Sequence, residues 1–380
     1  MQSNKLRMAI RATAAIAVLG VAGQANAVNL SVGDDVEASL YGYARLNMSY
    51  DFDADRAAST RSGKFSGGDE DVTGHFGADV QQSRLGVKVK HSSGVAVTVE
   101  GDFRGTGSGP GSLRMRHAYG EYQGFLAGRT WSNYLSFVGN TPTLDFDSLA
   151  GTAGSQDRAE QIRYTSGAMS FSLEDPASQQ ILDTAPATAD GRTSAPVLTA
   201  RFEDSMDALS FSAAALVGQI TADDGTNDDS AVGYGVFGAA KFKLSDMFSL
   251  QGAINYTDGA TGYLWRSGSN YNGASGYLDG NSVETIKGYG GSVGVSMNLG
   301  GGRSINLGYG MTKLDLDDAV AAGAATNSDA ETNQNVLVNY MWTPVKNVMM
   351  GVEYGYLDQE SVGGSSTDAN RVMFAAQYNF

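Results

Sequence analysis

Along most of the chain, apolar and polar residues alternate one by one. In residues 39–48, Leu40, Gly42, Ala44, Leu46 and Met48 share one parity, and Tyr41, Tyr43, Arg45 and Asn47 the other. Successive side chains of a strand point to opposite faces, so the spacing predicts a strand with one greasy or small face and one polar face. Residues 84–90 are sharper, with Arg84, Lys88 and Lys90 opposing Leu85, Val87 and Val89. The rhythm returns at 95–104, 113–122, 125–128, 161–164 and 169–174. With less charge it continues at 209–218, 248–256, 305–312, 348–356 and 372–380. In all, about sixteen such segments are expected. Tight turns such as Ser92-Ser93-Gly94 and Gly300-Gly301-Gly302 alternate with long acidic links at 222–230, 259–281, 315–331 and 358–369.

Three cations on one strand face cannot sit in a dry core, so the polar face must be wet. A soluble sandwich does not need short links at one end and long ones at the other, whereas an outer-membrane barrel has short periplasmic turns and long external loops. Closure also removes the edges that so many strands would leave open. The expectation is therefore all-β: a transmembrane antiparallel β-barrel of about 16 strands, the size that leaves a water-filled lumen. One stretch breaks the rhythm. Residues 129–151 have no clean period but carry Trp131, Tyr134, Phe137, Leu144 and Phe146. A polar surface loop would not hold so many rings, so residues 130–151 are expected to fold inward as a constriction loop.

Composition qualifies this in two ways. Mean hydropathy is negative, which taken alone suggests a soluble protein, but barrel strands show their lipid face only at every second residue. At the other end of the scale, residues 1–27 read as a signal peptide: Lys5, Arg7 and Arg11, an apolar run from Ala14 to Ala22, and a small-residue cleavage site at Ala25-Asn26-Ala27. Its removal lowers the formal charge of −15 by three, to −18. Residues 28–380 then form one exported domain, which without cysteine must be held by pairing and packing alone.

The cations supply the candidate chemistry. Arg45, Arg84, Lys88, Arg114, Arg116 and Arg163, with Arg129 and Arg158 at the roots of the long loop, are expected on one side of the lumen, where they would concentrate anions. Guanidinium groups also grip carboxylates at two points. Many acids lie in the links, and selectivity depends on the charges that reach the constriction. Asp145 and Asp147, with Glu100, Asp102 and Glu160, are expected to face the arginines and set up a transverse field. Glycine-spaced matches at 233–238 and 290–294 lie inside alternating strands, not at strand-to-helix turns, so they carry no nucleotide or nucleophile chemistry. His75, His91 and His117 are scattered; no metal, cofactor or enzymatic activity is expected. The acidic links could hold Ca²⁺ or bridge lipopolysaccharide, but they lack an EF-hand spacing. Aromatic residues at strand ends, among them Tyr41, Tyr50, Tyr122, Tyr256, Trp342 and Tyr356, suit headgroup girdles.

Leu40-Tyr41-Gly42 near the start, Ser83-Arg84-Leu85-Gly86, the long loop and the terminal Phe380 together resemble the Gram-negative trimeric porins. Residues 113–122 (LRMRHAYGEY), 129–133 (RTWSN) and 141–147 (TPTLDFD) are similar to the DcaP-like porins, associated with dicarboxylate uptake; this likeness is strongest from 83 to 176. The resemblance implies a homotrimer in the outer membrane, an inward third loop, and an arginine ladder on the facing wall. Arg84 and Arg116 match its strand-two and strand-four places, and Arg158 and Arg163 are both candidates for strand six. Phe380 resembles the signal read by the barrel-assembly machinery. Some family members carry an N-terminal periplasmic coiled coil, for which the residues before the first strand leave no room. The expected function is a passive diffusion channel for small hydrophilic solutes, preferring anions such as dicarboxylates or aromatic carboxylates. Its partners would be the lipid bilayer, lipopolysaccharide and the solutes, with no nucleic acid. A non-specific porin and a non-conducting adhesin are the alternatives.

Overall fold

The computed structural model describes residues 28–31, 33–54, 65, 74–105, 111–177, 180–184, 188–189, 191–192, 194–223, 228–269 and 271–380. The signal peptide and the acidic run Asp69-Glu70-Asp71 lie outside the described residues. Sixteen antiparallel strands close into a barrel. In chain order they are β1 Val36–Asp51, β2 Arg84–His91, β3 Ala96–Gly105, β4 Ser112–Tyr122, β5 Phe125–Trp131, β6 Arg158–Ser166, β7 Met169–Glu174 and β8 Val197–Met206. The second half comprises β9 Leu209–Asp223, β10 Asp228–Lys243, β11 Phe248–Asp258, β12 Lys287–Gly300, β13 Arg303–Asp315, β14 Ala330–Val345, β15 Val348–Ser361 and β16 Ser366–Asn379. Each strand pairs with the next, and β1 closes the ring on β16 from Tyr43↔Asn379 to Asp51↔Arg371. On its other side β1 pairs with β2 and, nearer its end, with the short strand His75–Asp79.

Alternation decides which way each side chain points. Leu85, Val87, Val97, Val99, Leu113, Met115, Ile162 and Phe171 lie on the outer surface, Leu113 at 72% exposure, while Arg45, Arg116, Asp102 and Glu353 are buried inside. So large an apolar surface suits lipid and not water. No described helix is long and apolar enough to cross a membrane. Turns of two or four residues close one end, and Gln123-Gly124 joins β4 to β5 with φ of 48° and 87°. Left-handed values at both positions give the twist that suits a hairpin.

Three expectations change. Strands β9 and β10 run to Asp223 and from Asp228, and β15 and β16 run to Ser361 and from Ser366. The described ends of 222–230 and most of 358–369 are therefore strand, paired as far as Asp223↔Asp228 and Glu360↔Ser366. Within 259–281, expected as an external loop, residues 259–268 and 273–277 turn inward, with Thr261, Leu264, Arg266 and Ser267 fully buried. Tyr41 is no girdle residue: its ring lies over Gly86, where a Cβ would fall 2.3 Å from it, on the lumen face.

Candidate functional site

The segment between β5 and β6, residues 132–157, lies inside the barrel, and wall side chains from β7 round to β15 hold its backbone. At its start, Glu174 accepts from the Ser132 hydroxyl and the Asn133 N–H, both at 2.6 Å. Near its end, Asn255 accepts the Gly154 N–H at 3.1 Å and donates to the Gly151 carbonyl at 2.8 Å. Asn335 does the same for Ala150 and Ser148, at 3.0 and 3.1 Å. An asparagine amide offers one donor and one acceptor side by side, so each stands in for a strand partner. At the tip, Glu353 accepts the Leu144 and Asp145 N–H groups at 2.8 and 2.7 Å, braced by Asn339 at 2.8 Å.

Packing adds to these bonds. Tyr134 and Ala153 of the loop join Val197, Ala214, Leu216, Phe237, Ala239 and Ala253, inward residues of β8 to β11, in one apolar cluster with Ala260 and Tyr263. That part of the inner wall is dry. Burial pushes the Tyr134 and Tyr263 hydroxyls above the ordinary tyrosine range. Close approach requires glycine beneath the loop: a Cβ on Gly294 would fall 1.9 Å from Thr141, and one on Gly310 2.3 Å from the Ala150 carbonyl.

The first six strands form the opposite wall. Asp102 takes a two-point bond from Arg114, at 3.0 and 2.7 Å, and a third contact from Arg116 at 3.1 Å. Glu100 pairs with Arg116 at 2.8 Å and with Arg84 at 3.3 Å. The acids lie underneath: the Asp102 side chain is wholly buried, whereas those of Arg114 and Arg84 keep 29% and 20% of their surface. Arg158 makes no ion pair among the described residues; its guanidinium lies over Trp131 at 4.5 Å, and Arg116 lies over the same ring at 5.6 Å. Three guanidiniums share two carboxylates, the more exposed being those of Arg84 and Arg114, and with Arg158 beside them the cluster carries a net positive charge. Phe146 reaches across to within 5.7 and 5.9 Å of the Arg104 and Arg116 guanidiniums.

Between wall and loop lies a cavity of about 430 Å³. Of the sequence-expected residues, Arg45, Arg84, Arg114, Arg116, Arg158, Asp145 and Asp147 line it; Lys88, Arg129 and Arg163 do not. Arg129 pairs with Glu160 at 2.7 Å. Arg163 bends back to Gln161 and the Trp131 carbonyl. Strand parity alone cannot tell how far along the barrel a cation sits. Of the two strand-six alternatives, Arg158 lines the cavity and Arg163 does not. Arg45 is buried and donates to the Leu144 carbonyl at 3.0 Å, fastening the loop tip. Glu100 and Asp102 do not face the arginines across the lumen; they lie among them, because β2, β3 and β4 are neighbours. Asp145 is largely enclosed, bonding the Asp147 N–H at 2.8 Å and standing 3.8 Å from Arg266. Glu353 and Arg266 went unremarked in the sequence. An inward acid on a strand looks like any other wall charge, but the aromatic content of 263–277 matches that which marked the constriction loop.

A family model described as DcaP outer membrane protein matches residues 18–380. The chain is similar to the crystal structure of the outer membrane channel DcaP of Acinetobacter baumannii, with a TM-score of 0.81 and 28% identity over 93% of this chain and 100% of that one. An anion-selective porin from Comamonas acidovorans superimposes with a TM-score of 0.57 at 15% identity, over 91% of this chain and all of its own. OmpT of Vibrio cholerae with loop L8 deleted gives 0.55 at 13% over the same shares. These last two likenesses concern the fold alone. No curated protein matches the chain.

Proposed function

Since the chain belongs to the DcaP outer membrane protein family and forms an outer-membrane channel, we propose that it prefers small anions and passes carboxylated solutes, dicarboxylates first among them. The observation that carries this reading is the layering of charge at the constriction. Arg84 and Arg114 stand above Glu100 and Asp102, so a solute in the cavity meets guanidinium before carboxylate. Arginine forks bind carboxylates at two points, and apolar walls keep the field from being screened as in bulk water. A diacid engages Arg84 or Arg114 at one end and Arg158 at the other. The bond it makes replaces hydration only in part, which allows release as well as capture. Export by cleavage after Ala27, assembly through Phe380 and association as a homotrimer belong to the same reading.

The test is electrical. In a KCl gradient the reversal potential should have the sign of chloride preference, and succinate should reduce the chloride current. Arg84→Ala with Arg116→Ala should weaken that block about tenfold, the value of one lost charge-assisted bond, while the barrel still forms. Cation preference in the parent channel would rule the reading out. An unaltered block in the variant would move the site elsewhere.

A further inference from the structure

The inward segment 259–275 does more than fill space. Trp265, Tyr271 and Asn272 line the same cavity as the arginines, although they belong to a different loop from residues 132–157. The Trp265 and Tyr271 rings are stacked, with centroids 5.8 Å apart and planes at 26°, forming one flat, uncharged slab. It is fastened at both edges. The Trp265 indole donates to the Asp147 carbonyl at 2.7 Å, and the Trp265 carbonyl accepts the Gly151 N–H at 3.1 Å. The Arg266 N–H closes onto the Tyr271 carbonyl at 2.6 Å, tying the two rings into one turn.

Arg266 pins this turn from behind. Its φ is +63°, a conformation rare outside glycine that persists only where surroundings dictate it. Those surroundings are present: the Arg266 carbonyl accepts from Thr312 at 3.1 Å and Asn333 at 2.8 Å. Its guanidinium donates to the Ser148 carbonyl and lies 4.2 Å from the Phe65 ring. A slab held on three sides cannot swing aside as a lid does. It is a fixed boundary of the passage.

We infer that Trp265 and Tyr271 are the size-determining residues of this channel, a second jaw that limits the width of the passage while the arginine wall reads charge. The two tasks fall to different side chains because the slab is neutral: it narrows the cavity without altering the sign of its field. Pore width and charged lining are independent contributors to selectivity. The inference rests on the channel reading but not on its preference for anions.

Neutral polyethylene glycols of graded mass provide a probe that carries no charge. The parent should exclude a polymer that the Trp265→Ala, Tyr271→Ala variant admits, and the variant's single-channel conductance should rise about twofold. Its reversal potential in a KCl gradient should stay where it was. Unchanged polymer exclusion and conductance would overturn the assignment, as would a reversal potential that moved towards cations with no widening. Should the alanine pair fail to yield a folded barrel on a heat-modifiability gel, Trp265→Leu with Tyr271→Leu keeps an apolar filling and must show the same widening to a smaller degree. A parent channel without anion preference would defeat the charge reading yet leave the polymer result standing.

Discussion

The lumen has two unlike sides. From β1 to β6 the side chains facing or lying beneath the cavity are Arg45, Arg84, Glu100, Asp102, Arg114, Arg116 and Arg158; from β8 to β11 the wall presents Val197, Ala214, Leu216, Phe237, Ala239 and Ala253, and its Arg201 and Glu203 are taken up by the Leu135 carbonyl and the Ser136 hydroxyl of the loop. Strand period and barrel curvature are common to both. What differs is the space in front: the cavity opens before the first set, and the constriction loop covers the second. A barrel that the strands alone would make nearly uniform thus becomes a one-sided passage, in which the charges on the covered side are spent on holding the loop and those on the other side line the cavity. Alternation therefore settles which residues point inward but not whether inward means wet.

Placing one kind of substitution on each side tests this contrast most severely. Ala239→Glu sets a carboxylate beneath Gly139 of the loop in the apolar cluster, where an unpaired charge costs about 3 kcal/mol or more. The folded band should be lost at lower temperature on a heat-modifiability gel, or the loop should lift and conductance rise. Lys88→Glu, on the wet side, should leave the melting temperature unaltered within error. Equal effects would abolish the distinction.

Glu353→Gln comes next. Its amide cannot accept both tip N–H groups, so about 2 kcal/mol of fastening is lost. Added open-channel noise with an unshifted reversal potential is the expected result; a quiet trace would mean that the tip is held elsewhere. Ionic strength should have the smallest effect. Arg114 and Arg84 are partly solvated, so their field reaches about 10 Å in 0.1 M salt and about 3 Å in 1 M. Anion preference measured with fixed gradient ratios should fall between those conditions and not change sign.

Much of this was legible in the sequence. Residues such as Leu85, Val87 and Arg84 announce their faces through parity, and Trp131, Tyr134 and Phe137 announce a loop that folds inward. The dry side left a fainter trace: at Ala214, Leu216 and Ala239 the inward parity carries small or apolar residues where β2 and β4 carry arginine. Residues 259–281 were misplaced because glycine and asparagine suggest an exposed loop, whereas Tyr263, Leu264 and Trp265 are its anchors. Glu353 could not be distinguished, since its role lies in meeting two backbone amides far away along the chain. Height along the barrel axis, which separates Arg158 from Arg163, depends on strand tilt and stagger that no period records.

The Glu353 fastening also bears on the order of events during assembly. Leu144 and the carboxylate that grips it are 209 residues apart, so the narrowing between β5 and β6 waits on a strand near the chain's end. Contacts between such remote positions form late. A partly built wall thus carries an unlatched loop, and the passage reaches its working width only as the ring shuts.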